Sequence, residues 1–168
     1  KLGRAAFRII RYIRKSPVAP WQSDASFMAV NTGTGLEFTE NNMRYLKLKQ
    51  PIKEGSNWKG NSFIDTYSLY SEVKYLADWD YTYEEVDMPA VIGSFNLDST
   101  ITVNQRDEIT GNPADRNSYS EVNIGLEKYA RGIGLVYRNF LHTTYQPGNG
   151  GYFEEGSFGV EYTMTDHN

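Results

Sequence analysis

The sequence predicts an all-β fold: an antiparallel meander curling into a half-barrel or a lipocalin-like barrel, with room for one short helix. Three observations predict it. Gln146-Pro147-Gly148-Asn149-Gly150-Gly151 separates two strand-like runs, and Asn149-Gly150 tolerates the positive φ angles that a tight hairpin turn demands. After that turn Phe158, Val160, Tyr162 and Met164 alternate with Gly159, Glu161, Thr163 and Thr165, the period of two of a strand with one apolar face. The third observation is composition. With 13 Tyr, 8 Phe and 3 Trp, the chain favours pleated sheet over disorder. Its 168 residues fit a single β-domain that buries roughly two-thirds of the surface its unfolded chain exposes.

The elements follow in order. Phe7 to Arg14 alternates imperfectly and reads as a strand, and Ser16-Pro17-Val18-Ala19-Pro20 ends it because proline cannot donate to a ladder. Ala25 to Asn31 is a second strand, and Thr32-Gly33-Thr34-Gly35 turns the chain into Leu36–Thr39. Asn41-Asn42 is the next turn, and Met43 to Gln50 alternates again up to Pro51. Glycine-rich and polar clusters flank Trp58. From Asn61 to Trp79 the pattern is mixed and predicts irregular structure with a short helix near Leu69–Ala77.

Tyr81–Val86 and Phe95–Gln105 read as strands, the second with an irregularity at Asp98-Ser99. Thr110-Gly111-Asn112-Pro113 is a turn, followed by a polar loop to Ser118. Glu121 to Tyr145 is too rich in glycine for a helix, since Gly125, Gly132 and Gly134 each cost about 1 kcal/mol there. It reads as two strands or one bent strand. The C-terminal hairpin should place Phe158, Val160, Tyr162 and Met164 against the core.

Several chemistries are excluded or weakly supported. The net charge of −4 argues against a nucleic-acid binder, which needs a basic field. There is no Cys, hence no disulfide, thiolate nucleophile or Cys-based zinc site. The two histidines, His142 and His167, lack partners at ligand spacing, so no metal or cofactor is expected. Glu84-Glu85, Asp107-Glu108 and Glu154-Glu155 are adjacent pairs whose members point to opposite faces of a strand, the wrong geometry for paired-carboxylate hydrolysis. Asp78-Trp79-Asp80 offers too few oxygens for calcium, and Gly132-Ile133-Gly134 opens no helix and so is no phosphate loop. No catalytic residue is assigned.

Two features carry more. Five Arg or Lys fall between Arg4 and Lys15, either an anionic-surface contact or the solvated cationic face of a strand. Aromatic residues concentrate between Trp58 and Tyr83, either as stacking platforms or as filling between a curved sheet and its loops.

Asn41-Asn42-Met43-Arg44-Tyr45-Leu46-Lys47-Leu48, Pro51-Ile52-Lys53-Glu54-Gly55 and Trp58-Lys59-Gly60-Asn61 together resemble a pattern of uncharacterised exported lipoproteins of Bacteroides-type bacteria. Glu127-Lys128-Tyr129-Ala130-Arg131-Gly132-Ile133-Gly134-Leu135-Val136-Tyr137 resembles them too. The resemblance spans most of the chain and contains no motif of an activity. It implies a curved antiparallel sheet in the cell envelope, as a periplasmic or outer-membrane lipoprotein. The implied membrane link is an N-terminal lipid on a Cys that this chain does not contain; it begins at Lys1 rather than Met, which implies that something upstream has been removed.

Two functional expectations follow. The first is a non-enzymatic envelope domain whose concave sheet binds an apolar or amphipathic ligand such as a lipid, lined by Trp58, Tyr67, Trp79 and Tyr137. The second is a structural or interaction module of a cell-surface assembly, using an exposed sheet edge or the basic first strand toward a protein partner not identified by sequence. A filled sheet interior favours the second, and an open apolar cavity the first.

Overall fold

A computed structural model describes residues 5–167 as an all-β chain of antiparallel strands, folded into two compact units. Its sheets stay open, so the closed-barrel alternative is not formed. The first unit holds residues 5–52 and 59–77, and the second holds 53–58 and 78–167.

The first unit is a four-stranded meander of β1 (Ala6–Ile13), β2 (Gln22–Asn31), β3 (Gly35–Glu40) and β4 (Met43–Lys49), paired in that order. The predicted turn at Asn41-Asn42 is a two-residue hairpin loop with φ of 50° and 60°, left-handed values that Asn accepts more readily than most residues. Gly35 has no room for a side chain, since a Cβ there would lie 2.4 Å from the Leu48 carbonyl oxygen. Residues 61–77 are irregular, and the expected short helix shrinks to one 3₁₀ turn at Lys74–Leu76 that buries Leu76. Asn61 Nδ2 donates to the Leu76 carbonyl at 3.0 Å and fastens that turn.

The second unit is one sheet ordered β10-β9-β8-β7-β6-β5, with β11 also paired to β9. Its strands are β5 (Asn57–Lys59), β6 (Asp80–Ile92), β7 (Phe95–Gly111), β8 (Ser120–Ala130), β9 (Gly134–Gln146), β10 (Tyr152–Phe153) and β11 (Phe158–Thr163). Between Met88↔Thr100 and Ala90↔Leu97, β7 carries one residue more than β6, which is the irregularity read at Asp98-Ser99. A larger one lies on β6, where two extra residues fall between Glu84 and Met88 and both Glu85 and Asp87 have positive φ. Such bulges bend a strand and raise its twist. Glu54 steadies this one, its carboxylate accepting the backbone N–H groups of Glu85 and Val86.

The C-terminal hairpin pairs as expected, with Phe158↔His142, Val160↔Phe140 and Tyr162↔Arg138 on one face. Two details differ. Pairing stops at Gln146↔Tyr152 because Pro147 cannot donate, so the connection is a longer loop rather than a two-residue turn, although Asn149 and Gly150 do take positive φ. The predicted inward face is also only partly covered: Phe158 and Tyr162 are 43% and 41% exposed, while Val160 and Met164 are half-buried. The reason is position. β11 is an edge strand, with a neighbour on one side only.

Candidate functional site

The second unit's sheet is packed full on one face. Trp79 is 1% exposed and stacks on Phe140 at 5.3 Å, and Phe140 stacks on Phe158 at the same distance. Gly125 makes this possible, because a Cβ there would come within 2.6 Å of the Trp79 ring. Further along, Trp58 packs against Tyr81 and Tyr83 with ring centroids 5.8 and 4.5 Å away, and all three are buried. Among the four residues read from sequence as ligand-lining, Trp58 and Trp79 therefore lie in the core. Tyr137 is half-buried on β9, its hydroxyl donating to Glu161 Oε1 at 3.0 Å. Tyr67 belongs to the first unit and is 73% exposed. Trp58 and Trp79 have the surroundings of packing residues.

Cavities lie elsewhere among the described residues. One of about 550 Å³ in the first unit is bounded by the Asn41-Asn42 turn, Phe63, Asp65, Tyr70 and Val73. Another, about 380 Å³ in the second unit, is polar and bordered by Asp78, Asp80, Asp107 and Glu108. Arg106 bridges it, bonding the Glu108 carboxylate and the Asp78 carbonyl. None of the four aromatic residues lines either cavity.

The carboxylate pairs are occupied separately. Glu84 Oε1 accepts from Asn104 Nδ2 at 3.1 Å, while Glu85 Oε2 accepts from Thr102 at 2.7 Å and from Lys128. The Lys128 and Thr102 hydrogen bonds hold Glu85 below the usual carboxylate range. Among the described residues no three His, Asp or Glu side chains converge to hold a metal ion.

His142 is held by Asn123. The Asn123 amide donates to Glu121 Oε1 at 2.8 Å, which leaves its oxygen to accept from His142 Nδ1 at 2.7 Å and fixes the tautomer. Burial pushes the imidazole below its ordinary value near 6.5, outweighing the opposite pull of Glu121 and Glu154. The folded state thus binds fewer protons than the unfolded one. This contribution to stability is complete above about pH 6.5 and is lost as pH falls through the folded value. His142→Gln should flatten the decline in urea midpoint between pH 7 and pH 5. An unchanged decline would assign it to other groups.

An uncovered apolar surface lies on β1 and β2. Phe7, Ile9 and Ile13 alternate with Ile10 and Tyr12, so both faces of β1 carry apolar groups, and all five are exposed, Phe7 by 63%. Met28 and Trp21 extend the patch and are exposed as well. β1 is also the sheet edge. Its cations differ in their surroundings. Arg11 pairs with Asp24 at 2.5 Å, whereas Arg8 bonds the Ser26 hydroxyl, and Arg14 bonds the Pro17 carbonyl while lying 4.4 Å from the centre of the Trp21 ring. No carboxylate among the described residues pairs with Arg8, Arg14 or Lys15. The sequence signal for this surface was the run Phe7–Ile13 itself: a strand apolar on both faces is the pattern of one covered on both faces.

Comparison of the chain with family models, curated proteins and solved structures returns no significant match.

Proposed function

We propose that this chain is a non-enzymatic interaction module of a cell-envelope assembly and that it docks through the β1–β2 hairpin. The observation that carries the reading is the contrast between a filled sheet in the second unit and an uncovered, two-faced apolar edge strand in the first. An exposed, long, hydrophobic edge presents unpaired backbone groups together with apolar side chains, and proteins normally blunt such edges. Nothing caps this one among the described residues. The envelope setting rests on the lipoprotein resemblance of the Asn41–Asn61 and Glu127–Tyr137 phrases. The ligand-binding expectation has less support, because Trp58 and Trp79 are packed rather than open.

A photoreactive residue at Ile10, tested in native envelope fractions, should give a discrete adduct that disappears when Phe7 and Ile9 are changed to Asp. The same probe at Tyr70, which is more accessible than Ile10 and lies outside the hairpin, should give none. Equal labelling from both positions, or no adduct from Ile10, would overturn the reading.

A further inference from the structure

Resting on the docking reading above, we infer that the occupant of the β1 edge is an extended peptide strand that carries carboxylates six residues apart on one face, with apolar residues between them. The argument starts from the spacing along β1. The extra residue at the Arg11/Tyr12 register shift falls on β2, at Asp24, so β1 itself alternates without interruption. Arg8, Ile10, Tyr12 and, just beyond the strand, Arg14 therefore share one side, while Phe7, Ile9, Arg11 and Ile13 share the other.

A strand added to this edge sets its own side chains beside those of β1, residue by residue and face by face. Its backbone satisfies the outward N–H and C=O groups of β1, a requirement that no detergent-like patch or rigid surface meets in register. On the Arg8 side the fit calls for a carboxylate near Arg8, apolar groups beside Ile10 and Tyr12, and a second carboxylate near Arg14. The opposite side calls for apolar groups beside Phe7, Ile9 and Ile13, since Arg11 already has Asp24.

Charge selects this occupant over a second copy of the edge. From Lys1 to Ser23 the chain contains no Asp or Glu, so pairing β1 with another β1 would bring Arg8, Arg14 and Lys15 against their own kind. Like charges placed opposite one another weaken strand pairing. An acidic strand neutralises the same cations and draws the encounter by long-range attraction, so its binding must weaken with salt.

The test uses the intact chain and a fluorescent nonapeptide of valine with glutamate at its second and eighth positions. Fluorescence anisotropy should show saturable binding that weakens at least tenfold between 50 and 500 mM salt. Arg8→Glu with Arg14→Glu, both at exposed positions, should weaken it at least tenfold with an unchanged circular dichroism spectrum. The same variant should bind a peptide with lysines in place of the glutamates. An N-methylated version of the acidic peptide, with its charges intact but its backbone donors removed, should not bind.

Binding of the N-methylated peptide as tight as that of the parent would overturn strand addition, as would equal binding of the lysine peptide to the unaltered chain. Adsorption to phosphatidylglycerol vesicles with no peptide binding would replace the inference with a lipid surface. Concentration-dependent self-association abolished by Phe7→Asp with Ile9→Asp would replace it with a second copy. If the peptide fails while the Ile10 adduct with an envelope protein persists, the acidic-strand inference falls and the docking reading stands.

Discussion

Trp79→Ala should lower the unfolding free energy by about 3–5 kcal/mol, the range for removing a large aromatic side chain from a packed core. The loss has two physical parts. The free energy gained by burying the ring on folding is lost and a void is left in its place, and the stack onto Phe140 at 5.3 Å is broken. The void cannot close easily, because the floor beneath Trp79 is the bare backbone of Gly125, beside which the buried Gln105 also packs. That floor supplies an internal check. Gly125→Ala should by itself cost about 1–3 kcal/mol by forcing a methyl to within 2.6 Å of the Trp79 ring. Introduced together with Trp79→Ala it should cost much less, because the clashing ring is gone, and the two losses should be clearly non-additive. Tyr67→Ala, at a residue 73% exposed, should stay within about 0.5 kcal/mol. Urea melts of the four variants decide the matter. A small loss at Trp79, or strict additivity with Gly125, would mean that the ring does not fill this space and that the sheet face is open to a ligand after all.

The contrast between Trp79 and Tyr67 also shows where the sequence was legible. Turn chemistry was readable residue by residue. Asn41-Asn42 and Asn149-Gly150 take the left-handed angles their types permit, and the extra residue at Asp98-Ser99 was visible as a break in alternation. The bulge on β6 was not. Glu85 and Asp87 adopt positive φ without being Gly or Asn, and Glu54, more than thirty residues earlier in the chain, helps hold them by accepting two backbone N–H groups. The strand read as Tyr81–Val86 in fact continues through Pro89 to Ile92. Pro89 falls at the register shift between Met88 and Ala90, a bulge position of the kind that tolerates proline.

Burial was the harder quantity for the aromatic cluster. Trp58, Trp79, Tyr81 and Tyr83 are buried while Tyr67 and Tyr70, from the same stretch of sequence, are not. The first four lie on or beside strands of a sheet that has a covered face. The other two lie in an irregular segment whose turns are held by polar groups such as Asp65, which accepts the N–H groups of Tyr67 and Ser68. The candidate surface on β1 was half legible. Its cations were read as a patch, but local alternation could not show that both apolar faces lack a cover, since that depends on the strand's place at the end of the sheet.

Glu127→Ala should be the most damaging polar substitution, at about 3–5 kcal/mol, because it removes one partner of a buried ion pair and leaves the other. Glu127 is 1% exposed and sits directly opposite Arg138 in the β8–β9 ladder, with Arg138 Nε 3.6 Å from Oε1. Its other oxygen accepts the Tyr129 hydroxyl at 2.6 Å. Burial, and then the neighbouring carboxylate, push that phenol well above its ordinary value, so it stays a donor throughout the working pH range. Alanine at position 127 therefore takes away the carboxylate that the Arg138 guanidinium and the Tyr129 hydroxyl both face. Glu127→Gln keeps an acceptor for Tyr129 and removes only the charge, so it should cost distinctly less than alanine. Arg138→Leu combined with Glu127→Leu should recover much of the loss, since a well-packed apolar pair often matches a buried ion pair in stability. A double-mutant cycle in urea measures the coupling. Should Glu127→Ala cost under about 1 kcal/mol, or the double leucine variant lose the full sum of its single changes, the pair would not be acting as a coupled unit beneath the sheet.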